Sequence, residues 1–340
     1  VTARRASKGN LWPPRKPEEA GMSFLNDKKR DILKPFLKAY YRFPRREQLD
    51  RQMEHVVTDY FTKLDIGKPF EARGLIVTGE SRSGKSKEVN SVIEKFNAEG
   101  INLPGGMPAR FVECTLSGML SWKDLGIEVL EALGTPMRAQ RTQSYIWNEV
   151  EKQARLQGVI GIHFDECQHM FTETGKTTNA KVLDGFKSLC KHKRWPFVLI
   201  LSGVPDLATF VNPYVQLKEL LFPVHFEKIG CQDDLEEMNN LCFAYGDKGD
   251  VNFGPLATKD FYERLAFACA NRWGLVIELV IEALALCRMD DRKDISISYF
   301  EKAFAQKSGL SLGFSPFSVD DYREAFSEAQ LLKLLLDDDE

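Results

Sequence analysis

Two short stretches of this 340-residue sequence hold residues whose types and order can do chemistry. The first is Gly79-Glu80-Ser81-Arg82-Ser83-Gly84-Lys85-Ser86. It fits G-x-x-x-x-G-K-[ST], where glycines let the backbone curl so that successive N–H groups point at an anion. Lys85 would reach the outer phosphates, and the Ser86 hydroxyl would hold Mg²⁺. Lys87 completes the expected phosphate-binding set. The second stretch runs from Gly158 to Glu166, an apolar run that ends abruptly in two carboxylates. Asp165 suits Mg²⁺, directly or through water. Glu166 suits a general base that polarises an attacking water. About 80 residues separate the two stretches. Together they predict ATP and Mg²⁺ as cofactors and hydrolysis of ATP to ADP and phosphate.

Both stretches need a sheet edge and a helix end to work. Residues 74–79 read as a buried strand, and Val89, Val92, Ile93 and Phe96 mark a helix over 86–98. The phosphate loop therefore sits at a helix N-terminus, whose positive dipole end adds to the anion-binding field. Residues 110–114, 158–166 and 197–203 read as further strands, and Phe222–Phe226 as a last edge strand. Asp165 and Glu166 then lie at the carboxyl edge, where ligands bind in open α/β sheets. Ser202 ends a strand where a γ-phosphate sensor would stand, although a strand-terminating Ser-Gly turn explains it as well. After residue 228 the pattern becomes helical only. Ser298–Glu301 reads as a capping box opening one of these helices. Arg272, just before a lid helix, either reaches back to the phosphates or is a surface arginine. The turn Tyr41–Arg46 either borders the adenine or packs ordinarily. The expected architecture is an α/β phosphate-loop core over 27–228, a helical lid over 229–310 and a tail over 311–340. A basic flexible arm over 1–26 precedes them.

Composition is that of a soluble globular protein, with 43% hydrophobic and 28% charged residues. No run of 18 apolar residues exists and no apolar leader is visible, so no membrane span or signal peptide is expected. The net charge of −3 argues against a general nucleic-acid coat. It is uneven, however: residues 1–50 carry 13 Lys/Arg against 6 Asp/Glu, leaving the rest at −10. A basic arm can touch phosphate backbones, and a solvated tail accounts for it equally. The seven cysteines are scattered without metal-binding spacing and read as reduced thiols in a cytoplasm.

Residues from about 40 to 305 resemble the AAA+ ATPases of the TniB/TnsC type, regulators of bacterial DNA transposition. The resemblance rests on Phe43-Pro44-Arg45, the phosphate loop, and Asp165-Glu166-Cys167-Gln168-His169 followed by apolar residues. Leu183–Leu189 before Phe197–Pro205, and Asp233-Asp234-Leu235, are also similar. The resemblance implies a homo-oligomeric ring or filament on double-stranded DNA, with ATP at subunit interfaces. Such proteins link a TniQ-like target selector to a DDE transposase, and hydrolysis promotes disassembly. Lys123, Lys176 and Lys181 are the candidate DNA contacts beside the arm. One departure stands out. Where the family carries a trans-acting arginine, this chain reads Gln216-Leu217-Lys218-Glu219-Leu220-Leu221-Phe222. A lysine does not replace a planar guanidinium fork, so either hydrolysis is slow or another trans residue takes the arginine's place. The alternatives are an ATP-gated signalling or defence module and a helicase-loader or replication-initiator relative.

Overall fold

Three apolar runs form the centre of a parallel sheet. β1 (Gly74–Gly79), β3 (Val159–Asp165) and β4 (Val198–Gly203) are buried along their whole length, as strands covered on both faces by helices must be. β2 (Arg110–Thr115) and β5 (Leu221–Phe226) alternate in burial and form the two edges. The order is β2-β3-β4-β1-β5, and all pairs are parallel. Pro223, which has no N–H to give, is accommodated because β5 is an edge. The computed structural model describes residues 24–137, 140–172, 175–230 and 232–336. Most of the basic arm, Cys231 and the acidic end 337–340 lie outside the described residues.

Helices α1 (Asp27–Lys38) and α2 (Arg46–Ile66) precede β1, and α3 (Lys85–Glu99) follows the phosphate loop. α4 (Trp122–Ala132) and α5 (Gln143–Gln157) join β2 to β3, and α6 (Lys176–Cys190) joins β3 to β4. The short α7 (Asp206–Val211) and α8 (Val215–Lys218) lead into β5. Then come α9 (Gln232–Gly249), α10 (Lys259–Ala268), α11 (Trp273–Met289), α12 (Ile297–Ser308), α13 (Tyr322–Ala325) and α14 (Glu328–Leu335). Among the described residues, none of these helices is long and apolar enough to cross a membrane.

Two apolar clusters flank the sheet, and a third holds the C-terminal helices together. That third cluster includes Phe36 of α1 and Phe317, Phe326, Leu331 and Leu335 near the C-terminal end. α1 is tied to α11 by Lys29–Glu282 at 2.7 Å and by Lys28 donating to the Met289 carbonyl at 2.9 Å. The expected capping box at Ser298 is not formed. α12 begins at Ile297 behind Ser296, and the Ser296 and Ser298 hydroxyls lie 2.8 Å apart, paired with each other. The six described cysteines are free and buried, and burial pushes their thiols upward, away from the reactive thiolate.

Candidate functional site

Strand register assembles the site. β4 lies between β1 and β3, with Phe164 opposite Leu201 and Val77 opposite Ser202. The next residues along each strand, Asp165, Ser202 and the start of the phosphate loop, therefore converge at one sheet edge. Gly84 takes a left-handed conformation (φ 91°) and caps α3, so Lys85 opens that helix.

Asp165 is held from several sides. Ser202 donates its hydroxyl to Asp165 Oδ1 at 2.5 Å, and the Glu166 N–H donates to the same oxygen at 3.0 Å. The Ser86 hydroxyl also bonds to Asp165. Burial pushes the Asp165 carboxyl up, but these hydrogen bonds and His163 leave it below its ordinary value, so it is ionised. His163 is wholly buried, with Nε2 2.7 Å from Ser202 Oγ. Ser202 spends its single proton on Asp165, so His163 Nε2–H donates to Ser202. Its Nδ1 has no partner. Burial lowers the His163 pKa and keeps the ring neutral. Ser202 is thus a positioning group for Asp165, its hydroxyl already committed.

Glu166 follows Asp165 in a left-handed conformation (φ 54°), which costs a non-glycine residue about 1–3 kcal/mol. That turn swings its carboxylate toward the loop, 3.6 Å from Lys85 Nζ. Gln168 donates to Glu166 Oε2 at 2.5 Å, and its Oε1 accepts the Val204 N–H at 3.2 Å. A Cβ on Gly203 would sit 2.2 Å from that Oε1, so only glycine lets Gln168 approach the end of β4. His169 is exposed beside it.

The lid meets the loop through α11. The Gly274 N–H donates to the Arg82 carbonyl at 2.8 Å, and a Cβ on Gly274 would lie 2.5 Å from that oxygen. Arg272, buried to 5% exposure, places Nη1 3.1 Å from Glu80 Oε2. The angle is not that of a hydrogen bond, and Arg272 Nε and Nη1 and Ser83 Oγ are buried without hydrogen-bond partners. Buried donors left open around a curled loop are what an anionic ligand would satisfy.

The cavity beside the loop has a volume of about 860 Å³, within the range of ligand sites. Ser81, Arg82, Lys85, Ser86, Lys87 and Glu166 line its polar end. The turn Tyr41–Arg46 lies behind the loop, not along this cavity. Tyr41 donates to Glu237 at 2.6 Å. The Arg45 guanidinium stacks on Phe43, Phe226 and Trp273 and donates to the Ser83 carbonyl at 2.8 Å. Burial pulls Arg45 down to about 10, still charged at neutral pH. Arg46 meets Glu88 at 3.0 Å and Asp50 at 3.1 Å, bracing α3. These side chains pack on the loop, the lid and α3. Sequence reading missed Arg45 as a brace for the loop. Its only signal was an arginine embedded among aromatics.

The residues fit a magnesium nucleotide. Among the described residues no cluster of three or more His, Cys, Asp or Glu could hold a metal alone. Ser86 and Asp165 would hold Mg²⁺ together with phosphate and water oxygens, its usual preference. Of the candidate DNA contacts, Lys123 lies in the first turn of α4, and Lys176 and Lys181 are exposed on α6. Trp122 packs against Gly185 of α6, so α4 and α6 share one flank. Lys218 is exposed at the end of α8.

The sheet order, the loop between β1 and α3, and the helical lid define the AAA+ P-loop fold. Residues 68–211 match the family model described as AAA domain. Several solved structures share the fold at low identity. Cdc6p from Pyrobaculum aerophilum aligns with a TM-score of 0.57 and 15% identity over 79% of this chain and 69% of that one. The ORC2 protein of Aeropyrum pernix, in ADPNP-ADP complexes, gives 0.58 and 11% over 80% and 71%. The ORC1 protein of Aeropyrum pernix, in complex with DNA, gives 0.56 and 12% over 81% and 69%. No curated protein sequence matches this chain.

Proposed function

We propose that the protein is an ATP-gated regulator of DNA transposition that assembles on duplex DNA. It would link a TniQ-like target selector to a DDE transposase and leave the DNA on hydrolysis. The observation that carries this reading is the Gln168 bridge. The candidate base Glu166 is held by an amide whose other end rests on the terminus of β4, so a change at the γ-phosphate reaches both the base and the adjoining α7. Gln168 belongs to the Asp-Glu-x-Gln-His stretch on which the resemblance to transposition regulators rests.

In this reading Lys85, Arg272 and the loop N–H groups hold the phosphates. Asp165 and Ser86 hold Mg²⁺, and Glu166 takes a proton from the attacking water. Bound Mg²⁺ would neutralise charge on the phosphates. The segment Gln216–Phe222 supplies no arginine, so hydrolysis is slow and the nucleotide acts mainly as an assembly signal. Lys123, Lys176 and Lys181 would contact phosphates without reading sequence, making binding salt-sensitive.

The second reading is an initiator-like ATPase. The likeness to ORC1 of Aeropyrum pernix, solved with DNA, favours it. Filter binding to duplex DNA with and without a non-hydrolysable ATP analogue separates the readings. Analogue-dependent binding to any sequence supports the transposition reading. Preference for one defined sequence supports the initiator reading. No analogue-dependent binding at low salt overturns both and leaves a signalling or defence module.

A further inference from the structure

The nucleotide cavity has a second end, and part of its wall comes from the C-terminal helix. Beyond the phosphate loop the cavity is lined by Leu37 of α1, Ile277 and Ile281 of α11, and Leu335 and Leu336 at the end of α14, together with the paired side chains of Glu278 and Lys307. Gly274, at the start of α11, touches the loop. Ile277 and Ile281 lie about 4.5 and 10 Å further along that helix at 1.5 Å per residue. Both thus lie farther from the phosphate loop than Gly274, on the side away from the Gly274–Arg82 contact. Five aliphatic side chains from three helices therefore converge where a flat base would need apolar cover.

α14 is anchored so that this wall is held in place. Its N-terminus carries a reciprocal Ser327–Gln330 capping box. Glu328 accepts a hydrogen bond from Asn271, one residue before Arg272, and lies 3.9 Å from Lys228. Lys228 is in turn 4.0 Å from Glu80 in the phosphate loop. Leu331 and Leu335 sink into the lid core, and the partly buried Leu336 packs against that core while lining the cavity beside Leu335. One end of α14 is thus tied electrostatically to the loop, and the other ends in the cavity beside it.

We propose that α14 supplies the base-covering wall of the nucleotide site, with Leu336 packing on the base. The proposal rests on the nucleotide-binding reading above and deepens it. A base bound against Leu336, Ile277 and Ile281 would hold α14 down. Docking of α14 would in turn raise affinity for nucleosides, with no effect on a ligand made of phosphates alone.

The test is titration calorimetry of the full chain with Mg²⁺, using ATP and inorganic tripolyphosphate as separate ligands. Leu336→Asp is expected to weaken ATP about tenfold, the scale of one lost leucine contact, and to leave tripolyphosphate unchanged. Leu336→Met is expected to restore ATP binding. Amide hydrogen exchange on the wild-type chain gives a second readout: ATP, but not tripolyphosphate, should slow exchange in residues 331–336. ATP affinity unchanged in Leu336→Asp, or equal weakening of both ligands, would overturn the wall. Equal protection of 331–336 by both ligands would do the same. Lys85→Ala separates this from failure of the underlying reading. It should lose both ligands, and full ATP binding by Lys85→Ala overturns the nucleotide site itself and the wall with it.

Discussion

Gln168 grips Glu166 on one side and the end of β4 on the other. Its Nε2 donates to Glu166 Oε2 at 2.5 Å, and its Oε1 accepts the Val204 N–H at 3.2 Å. A carboxylate in a strained left-handed turn needs such a clamp if it is to serve as the proposed base, because nothing in the turn itself fixes it. Glu166→Gln should keep ATP affinity and lose turnover by about 10²–10⁴-fold, the range for a positioned base. Gln168→Ala should lower kcat by a smaller factor and leave KM unchanged. Steady-state phosphate release measures both. A Gln168→Ala variant as fast as wild type would remove the positioning role.

Arg272 is buried with Nε and Nη1 unpartnered, beside Glu80. Arg272→Met should therefore weaken ATP while leaving the free protein as stable or slightly more so. Glu80, the ion-pair partner left behind, is partly exposed and stays hydrated, so losing that pair costs little by itself. Losing charge-assisted hydrogen bonds to phosphate costs about 1.5–3 kcal/mol. Nucleotide titration and thermal melting without nucleotide check the two halves. A large loss of melting temperature with unchanged affinity would make Arg272 purely structural.

Gly274 allows the lid to touch the loop. Gly274→Ala places a Cβ 2.5 Å from the Arg82 carbonyl oxygen, and backbone cannot yield as a flexible side chain does. The expected cost is about 1–3 kcal/mol, as for overpacking elsewhere, together with weaker ATP binding. Melting curves and nucleotide titration on the same sample would show whether the two losses come together.

His163 makes stability depend on pH. Its native pKa lies below its ordinary 6.5, at about 4, because burial disfavours the charged ring. Between those values the unfolded chain binds a proton that the native one refuses, so acid favours unfolding. The contribution is nil above pH 6.5 and becomes a penalty as pH falls toward 4. Asp165, lowered in the native state, adds a loss in the same direction below its ordinary value of 3.8. His163→Gln should flatten the upper part of this slope. Melting temperatures from pH 7.5 to 4.5 for both proteins test it, and parallel curves would count against His163.

Much of this protein is decided by local sequence. The loop Gly79–Ser86 and the Asp165–Glu166 strand end are legible because backbone curl, helix dipole and strand termination depend on neighbours in the chain. The strands are legible for a similar reason: full burial on both faces demands unbroken apolar runs such as Val198-Leu199-Ile200-Leu201. α1 was not, because Pro35 and scattered charges hide an apolar face that only α9 and α11 together cover.

The tertiary structure alone decides what the side chains do once brought together. Ser202 could equally have met a phosphate or ended a strand, and register with β3 gives its proton to Asp165. Arg45 reads as ordinary until three aromatic rings close around it. Gln168 sits two residues from Glu166 in sequence, yet its role depends on Gly203 and Val204, which reach it only across the sheet. Leu336 lies 250 residues from Ser86 along the chain, and packing of the lid core sets it in the same cavity. Local geometry makes a phosphate site wherever loop and helix meet. Which groups surround it is set by long-range packing, and no short stretch of sequence encodes that.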